Sequence, residues 1–199
     1  MKAIINDEQY FDEAFEKLLL SSHQYNHVAF EDCYFKDCDF SESTFTHCKF
    51  INCEFHNCNF SLANFSNSKL YTLKFYDCKL IGIDWTKVSW AEYHLDYELS
   101  FTRCIMNDSS FFGLKMHELN FDECKLHDTD FREGDYTDSS MTYCNFRHAL
   151  FMRTNLQDVD FSHSEDYRID VLENNIKGAK FSRFEALNLL DSLGIELVD

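Results

Sequence analysis

The sequence predicts an all-β solenoid, a coil of short strands whose turns stack on one another. Large apolar residues recur every five positions along most of the chain, and all nine cysteines lie two residues before a member of this series. The chain also contains no proline. Stacked strands need a backbone N–H at each position, which proline would remove. The series itself consists of large apolar residues spaced five apart along most of the 199 residues, beginning with Phe30, Phe35, Phe40, Phe45, Phe50, Phe55, Phe60 and Phe65.

The spacing of five excludes the ordinary secondary structures. In a straight strand, positions five apart point to opposite faces, so half of the phenylalanines would face water. In an α-helix a step of five is roughly 500°, which scatters the series around the circumference. A chain that bends at each repeat can send every large residue inward. The repeated bend predicts a coil whose neighbouring turns bury a continuous core.

The beginning of the chain is open to two interpretations. The spacing extends back through Tyr25, Leu20, Phe15 and Tyr10, although the intervening residues are less regular. We expect an irregular first coil. The alternative is a short helix that would use Phe11, Phe15, Leu18 and Leu19.

Two later places break the spacing. Leu95 and Phe101 are six residues apart, which predicts a bulge, kink or small loop within residues 94–100. Near residues 164–167 the series places Asp166 at an inward position, for which a carboxylate is unsuited.

The C-terminal residues predict a helix over 183–194, which Ser182 caps and Gly194 ends. A strand that includes Val198 is expected to follow it. The helix could be a lid on its own coil. Apolar residues beyond one helix face favour burial against a second copy across a two-fold axis. The residues expected to form this dimer contact are Phe184, Leu187, Leu190, Leu193, Ile195 and Leu197.

The cysteines have two possible roles. Cysteine clusters can form disulfides or hold zinc, but spacings in multiples of five lack the two-residue gap typical of zinc sites. Cysteine here alternates with alanine, serine and threonine at the small position of each repeat. Buried free cysteine packs as a small apolar residue. We therefore expect nine reduced core thiols and no metal or cofactor.

Composition limits the location and the partners. The apolar runs are too short to span a membrane, and the N-terminus lacks the apolar stretch of a signal peptide, which indicates a cytoplasmic protein. The chain carries 35 acidic and 18 basic residues, a net charge of −17. Direct binding to nucleic acid is disfavoured because phosphates would repel this surface. A DNA-binding protein is a plausible partner, although negative charge also keeps an aromatic-rich rod soluble.

Several repeats identify a family. The stretches 38–42, 53–57, 58–62 and 63–67 resemble pentapeptide-repeat proteins, whose unit is a small residue, Asp or Asn, Leu or Phe, then two polar residues. The resemblance implies a right-handed quadrilateral β-helix over residues 1–181, with twenty residues per coil, and a C-terminal capping and dimerisation segment over 182–199. Eight to nine coils would make a rod of roughly 40 Å. Two cysteine ladders are expected, Cys38, Cys58 and Cys78, and Cys104, Cys124 and Cys144.

The C-terminal tail narrows the resemblance. Residues 189–199 resemble the dimerisation tail of the Qnr and Mfp proteins, pentapeptide-repeat proteins that protect DNA gyrase. Residues 103–109 and 174–177 resemble the albicidin self-resistance member of that group. The resemblance implies an acidic DNA mimic that binds gyrase or a related type II topoisomerase as a homodimer and counters an inhibitor.

Acidic residues are the candidates for contact with such a partner. Glu118, Asp138 and Asp158 are twenty residues apart and would stack at one outward position, where like charges repel unless a cation relieves them. The full candidate set adds residues near the break and within 118–138: Asp96, Glu98, Glu118, Asp122, Glu123, Asp128, Glu133, Asp138 and Asp158.

Two other functional classes remain. An interaction scaffold with a protein target other than gyrase is the main alternative. An enzyme is disfavoured because the sequence contains no nucleophile elbow, phosphate-binding loop or metal-binding histidine pair.

Overall fold

The chain coils into a solenoid of about eight parallel turns that ends in one helix, which confirms the predicted β-helix. The computed structural model describes residues 3–90, 98–196 and 198. Among these residues no helix is both long enough and apolar enough to cross a bilayer. The strands are β1 Gln9–Phe11, β2 Ala14–Glu16, β3 Gln24–Asn26, β4 Ala29–Glu31, β5 Tyr34–Lys36, β6 Thr44–Thr46, β7 Lys49–His56, β8 Lys69–Tyr76, β9 Leu99–Thr102, β10 Asn120–Asp122, β11 Ser140–Thr142, β12 Asp160–Phe161 and β13 Lys180–Phe181.

Successive coils pair in parallel at a spacing of twenty residues. Tyr10 pairs with Phe30 in β1 and β4, and Phe30 pairs with Phe50 in β4 and β7. Phe15 of β2 pairs with Phe35 of β5 in the same way and is buried. The first coil is therefore as regular as the next ones, in place of the irregular coil that the sequence predicts or its helical alternative.

A left-handed backbone conformation turns the chain once in most repeats. The residue two positions after the inward aromatic then has a positive φ, for example 54° at Asp32, 53° at Asp37 and 57° at Glu42, whereas the repeat of Trp85 turns through a short 3₁₀ helix over Trp85–Lys87. Residues other than glycine rarely adopt this conformation, and Asp and Asn adopt it more readily than most. Hydrogen bonds between coils help to hold it, such as that from the Asp32 N–H to the Ile51 carbonyl at 3.0 Å. These residues form the four corners of the rod.

Stacked rings fill the interior. Phe35, Phe55 and Phe75 lie in one column with centroids 4.9 and 4.7 Å apart and ring planes within 15° of parallel. The ring of Phe75 continues the column onto Phe101 at 5.1 Å. Offset-stacked rings contribute about 0.5–1.5 kcal/mol per pair beyond the burial of their area. The spacing of five predicts this core correctly.

The small inward residues hydrogen-bond the coil before them. The thiol of Cys48 donates to the Tyr25 carbonyl at 3.5 Å, and the hydroxyl of Ser68 donates to the Phe45 carbonyl at 2.8 Å. A small side chain with one donor fits between coils and satisfies a buried carbonyl, which explains why cysteine, serine and threonine alternate there. All nine cysteines are free and buried, as predicted.

The break after Trp90 is an insertion that leaves the later coils in register. Leu73 of β8 pairs with Leu99 of β9, and Phe75 pairs with Phe101, so the spacing is 26 residues at this point. Residues 91–97, which include Leu95, Asp96 and most of the predicted loop, lie outside the described residues.

The insertion also corrects the prediction of two cysteine ladders. The Ile105 N–H donates to the Cys78 carbonyl at 3.0 Å, which places Cys104 directly above Cys78. Cys78 and Cys104 are 26 residues apart instead of twenty, but they still occupy the same position in neighbouring coils. The two predicted ladders are therefore one column of six thiols.

The second break is resolved by a shift of one residue. Tyr167 is fully buried and takes the inward position, whereas Asp166 is exposed with a φ of 59°. The extra residue removes the carboxylate from the core and replaces it with a ring, which packs against Phe161 and Phe181.

The C-terminal helix is a 3₁₀ helix over Glu185–Leu193, and Gly194 ends it with a φ of 65°, as predicted. The predicted Ser182 cap is wrong: Phe184 precedes the first turn, and the Ser182 hydroxyl accepts the N–H of His163 at 2.6 Å. Ile195, Glu196 and Val198 lie outside any strand. The predicted final strand is therefore wrong at Ile195 and Val198, and Leu197 lies outside the described residues.

We expect Phe50→Asp to unfold the middle of the rod. Phe50 is 2% exposed and stacks on Phe30 at 5.0 Å, so the variant places an unpaired carboxylate in the core. The loss in unfolding free energy should exceed about 4 kcal/mol. Thermal unfolding followed by circular dichroism measures it. Ile51→Asp, which changes the adjacent outward residue, is the control, and equal stability losses in the two variants would contradict the inward assignment.

The thiols should react slowly while the protein is folded. All nine thiols are buried, so a reagent cannot reach them while the coils stay stacked, and burial also raises the pKa of the Cys48 and Cys144 thiols. A chromogenic disulfide reagent should label all nine cysteines rapidly in denaturant and slowly without it. Rapid labelling of several thiols in the native protein would disprove their place in the core.

Candidate partner-binding surface

Seven of the nine candidate acids lie at corners of the rod. All seven are exposed, because the left-handed turn directs a corner side chain away from the core. Their φ angles range from 48° at Glu98 to 60° at Asp138. These corner residues are Glu98, Glu118, Glu123, Asp128, Glu133, Asp138 and Asp158.

Four of these acids form one ladder along a single corner, which we call the acidic corner: Glu98, Glu118, Asp138 and Asp158. The pairing of β9 with β10 and hydrogen bonds between successive coils set this register. The N–H of Glu118 donates to the Thr137 carbonyl at 3.1 Å, and that of Asp138 to the Gln157 carbonyl at 3.1 Å. With coils about 4.8 Å apart, the four carboxylates extend over roughly 15 Å.

Within the described part of the chain, the acidic corner lacks a paired counter-charge. None of its four carboxylates forms an ion pair with another described residue. From residues that the structure describes, these carboxylates accept one side-chain hydrogen bond, which the neutral Gln157 amide donates to Asp158 at 3.0 Å. Like charges at this spacing repel, so a cationic surface would stabilise the ladder.

The remaining candidates are dispersed around the rod, because residues 118–138 make one full coil. Glu133 forms an ion pair with Arg153, and Asp128 lies 3.4 Å from the His148 ring nitrogen. Asp122 is half-buried on a face and accepts a hydrogen bond from Thr142.

Glu123 lies at another corner that also carries bases. The Arg103 guanidinium on that corner lies 2.8 Å from Asp77 and lowers the pKa of the Asp77 carboxyl group. Asp96 lies outside the described residues, so its position relative to either corner stays a prediction.

Three acids near the acidic corner are absent from the sequence-based set. Asp12 and Asp32 occupy the same corner in the first coils, with φ of 52° and 54°. Asp160 lies beside Asp158 on the adjacent face. Burial would raise the Asp160 pKa, but hydrogen bonds from Ser162 and Lys180 outweigh it and lower the pKa. Asp12, Asp32 and Asn52 are spaced twenty residues apart in the sequence, so the length of one coil would have been enough to place both acids at one corner.

The C-terminal end carries the predicted apolar residues on its outside. Phe184 is 84% exposed, and Leu187, Leu193 and Ile195 are about half exposed. With three residues per turn, the 3₁₀ helix places Leu187, half-buried Leu190 and Leu193 in one row. Leu197 lies outside the described residues.

Leu189 explains how the helix is attached. It is buried and joins the core at the last coil, so the helix covers the open end of the solenoid. The row of Leu187, Leu190 and Leu193 does not join this core and faces outward, where another surface could pack on it. The helix therefore serves as a lid and also leaves an apolar face.

The described residues offer no cluster of His, Cys, Asp or Glu side chains that could hold a metal ion. The carboxylates of the acidic corner are strung out along the rod. Their arrangement is suited to long-range contact with a positively charged surface.

Comparison with known proteins identifies the repeat. A family model for the pentapeptide repeat region matches residues 28–97 and 95–161. Among curated proteins no sequence matches the chain.

Solved structures share the fold over nearly the whole length. A trypsin-treated form of QnrB1, a plasmid-mediated fluoroquinolone resistance protein, is 16% identical with a TM-score of 0.71, and the match covers 97% of this chain and 99% of that chain. A second trypsin-treated form is 18% identical with a TM-score of 0.56, covering 98% and 93%.

A third similar structure has a different described role. HetL, a pentapeptide-repeat protein involved in the regulation of heterocyst differentiation in the cyanobacterium Nostoc, is 8% identical with a TM-score of 0.54, covering 89% of this chain and 86% of that chain. At these identities the likeness concerns the fold alone.

Proposed function

The chain belongs to the pentapeptide-repeat family, and we propose that it is an acidic DNA mimic that binds DNA gyrase or a related type II topoisomerase and protects it from an inhibitor. The acidic corner is the observation that carries this proposal. Its four carboxylates are exposed, regularly spaced and unpaired among the described residues. The consequence for the cell would be resistance to an antibiotic, including one that the cell itself makes.

Charge and shape support the choice of partner. A topoisomerase binds DNA through positive charge arranged to face a rod of phosphates. The rod has a net charge of −17 and carries its unpaired carboxylates in a line along the axis. The repeated 4.8 Å step of the coils fixes their spacing without help from flexible loops. The resemblance in fold to a fluoroquinolone resistance protein agrees with this target.

We further propose that two copies associate through the C-terminal apolar face. Isologous dimers are the commonest oligomers, and the row of Leu187, Leu190 and Leu193 would pack against its own copy across the two-fold axis. Two rods of roughly 40 Å joined end to end would give about 80 Å, close to the length of some 24 base pairs. Dimerisation would thus place two acidic corners, each roughly 15 Å long, on one rod of DNA-sized length.

A scaffold function with a different protein target is the alternative. HetL shows that a protein of this fold is involved in regulating differentiation, so the fold by itself does not select gyrase. An assay with purified gyrase separates the two proposals.

We expect Leu190→Glu/Leu193→Glu to convert a dimer into monomers, because charge would replace the apolar row. Light scattering gives the mass. Leu19→Lys/Leu62→Lys is the matched control, since both leucines are exposed far from the C-terminal end. A monomeric wild type, or equal dissociation in the control, would contradict the proposed contact.

The functional prediction concerns the charge of the acidic corner. The wild-type protein should relieve gyrase from a poison in a supercoiling assay, and Glu118→Lys/Asp138→Lys/Asp158→Lys should do so at least ten-fold less well. Reversal of three charges turns attraction to a cationic surface into repulsion. Lysine tolerates the corner conformation, as Lys17 shows with a φ of 53°.

A second triple variant controls for net charge. Asp37→Lys/Glu42→Lys/Asp108→Lys changes the charge equally at left-handed positions of other corners. It should retain most of the protection, and binding of the wild type should weaken as salt rises. Equal loss in both triple variants would remove the role of the acidic corner. A wild type without effect on gyrase at low salt would leave the scaffold proposal in its place.

A further inference from the structure

A cleft on the N-terminal coils has a charge opposite to that of the protein. It encloses about 250 Å³, and no carboxylate lines it, although acidic residues outnumber basic ones by 35 to 18 in the chain. Five of its six lining residues have a polar side chain with nitrogen donors. The lining consists of His27, His47, Cys48, Lys49, Asn67 and Lys69. We call the five nitrogen-bearing residues the basic cleft.

One wall of the basic cleft is a corner ladder. The rings of His27 and His47 stack with centroids 5.2 Å apart and planes 22° from parallel. The backbone N–H groups of the two histidines donate to the carbonyls of Thr46 and Ser66 at 3.1 and 3.2 Å, so the backbone that carries the rings is fixed. Asn67 continues this corner on the next coil, with a φ of 57°.

The other wall is a pair of stacked lysines. Lys49 of β7 and Lys69 of β8 are direct neighbours in register, so they emerge from strands about 4.8 Å apart. Both side chains are exposed, and neither forms an ion pair with a described residue. Ala29 precedes this pair in the ladder and Ser89 follows it, so no acid alternates with the lysines.

Few acidic side chains near the basic cleft offset its positive charge. Asp7 lies at the rim, with its carboxylate 3.7 Å from the His27 ring and 80% exposed. The next coil adds Lys87, whose ammonium is already paired with Asp84 at 3.4 Å. Two like charges held one strand spacing apart repel, and an anion between the walls would relieve that repulsion.

We infer that the basic cleft binds a phosphate group, either as free phosphate or as part of a nucleotide. Ammonium, imidazole and amide groups supply N–H donors from two walls, which suits a tetrahedral oxyanion with acceptors on every side. Lysine is a common ligand of phosphate, as a point charge that needs no planar partner. The inference does not depend on the proposed function, because the basic cleft shares no residue with the acidic corner or the C-terminal face.

Calorimetric titration of the full-length protein with inorganic phosphate at low ionic strength tests the inference. The wild type should bind one equivalent saturably, and Lys49→Gln/Lys69→Gln should bind at least ten-fold more weakly. Lys79→Gln/Lys125→Gln is the matched control, because these lysines are also exposed and occupy the equivalent outward position on another face. It should bind as the wild type does.

A second variant and a second ligand complete the test. His47→Asn removes one ring but keeps a residue that tolerates the left-handed corner, and it should also weaken binding. Tighter binding of adenosine diphosphate than of phosphate would identify a nucleotide as the source, and equal binding would identify free phosphate. The absence of saturable binding, or equal weakening in both lysine double variants, would overturn the inference.

Discussion

The left-handed turn at every fifth residue is the constraint on which the rest of the structure depends. Most corner residues take a positive φ, as Asp32 and Glu118 do, and hydrogen bonds to the next coil hold these turns. Without that turn, residues five apart would point to opposite faces. With it, four repeats close a coil and every large residue faces inward. The stacked rings and the ladder of buried thiols are consequences of the same turn.

The same constraint places charge on the surface. A corner side chain cannot reach the core, so twenty-residue spacing converts a sequence pattern into a straight row of side chains. Glu118, Asp138 and Asp158 form such a row without bases, whereas Glu133 and Arg153 neutralise each other on another corner. The basic cleft arises by the same rule from His27 and His47. Function in this fold is thus determined by which residue recurs at a given corner.

Much of this organisation could be predicted from the sequence, because the core repeats at a fixed spacing. The fold, the buried cysteines and the stacking of Glu118 on Asp138 follow from counting. That the two predicted cysteine ladders form one column could not be predicted by counting. It depends on the pairing of Phe75 with Phe101, which shows that the insertion leaves the later coils in register. The shift to Tyr167 depends on packing of its ring near Phe161. Dispersal of the 118–138 acids over four corners follows from the same count as the fold, because these residues make one full coil.

The length of one coil provides the most direct test of this account. Deletion of residues 41–60 removes twenty residues and rejoins two equivalent positions, so a shorter but cooperatively folded rod should result. Deletion of residues 41–62 leaves one coil two residues short. The chain accommodates extra residues after Trp90, but a coil of fewer than twenty residues cannot close in register with its neighbours. Thermal unfolding followed by circular dichroism compares the two proteins. The account predicts a sharp β-type transition for the first deletion and its loss or marked lowering for the second; equal stability of the two would contradict it.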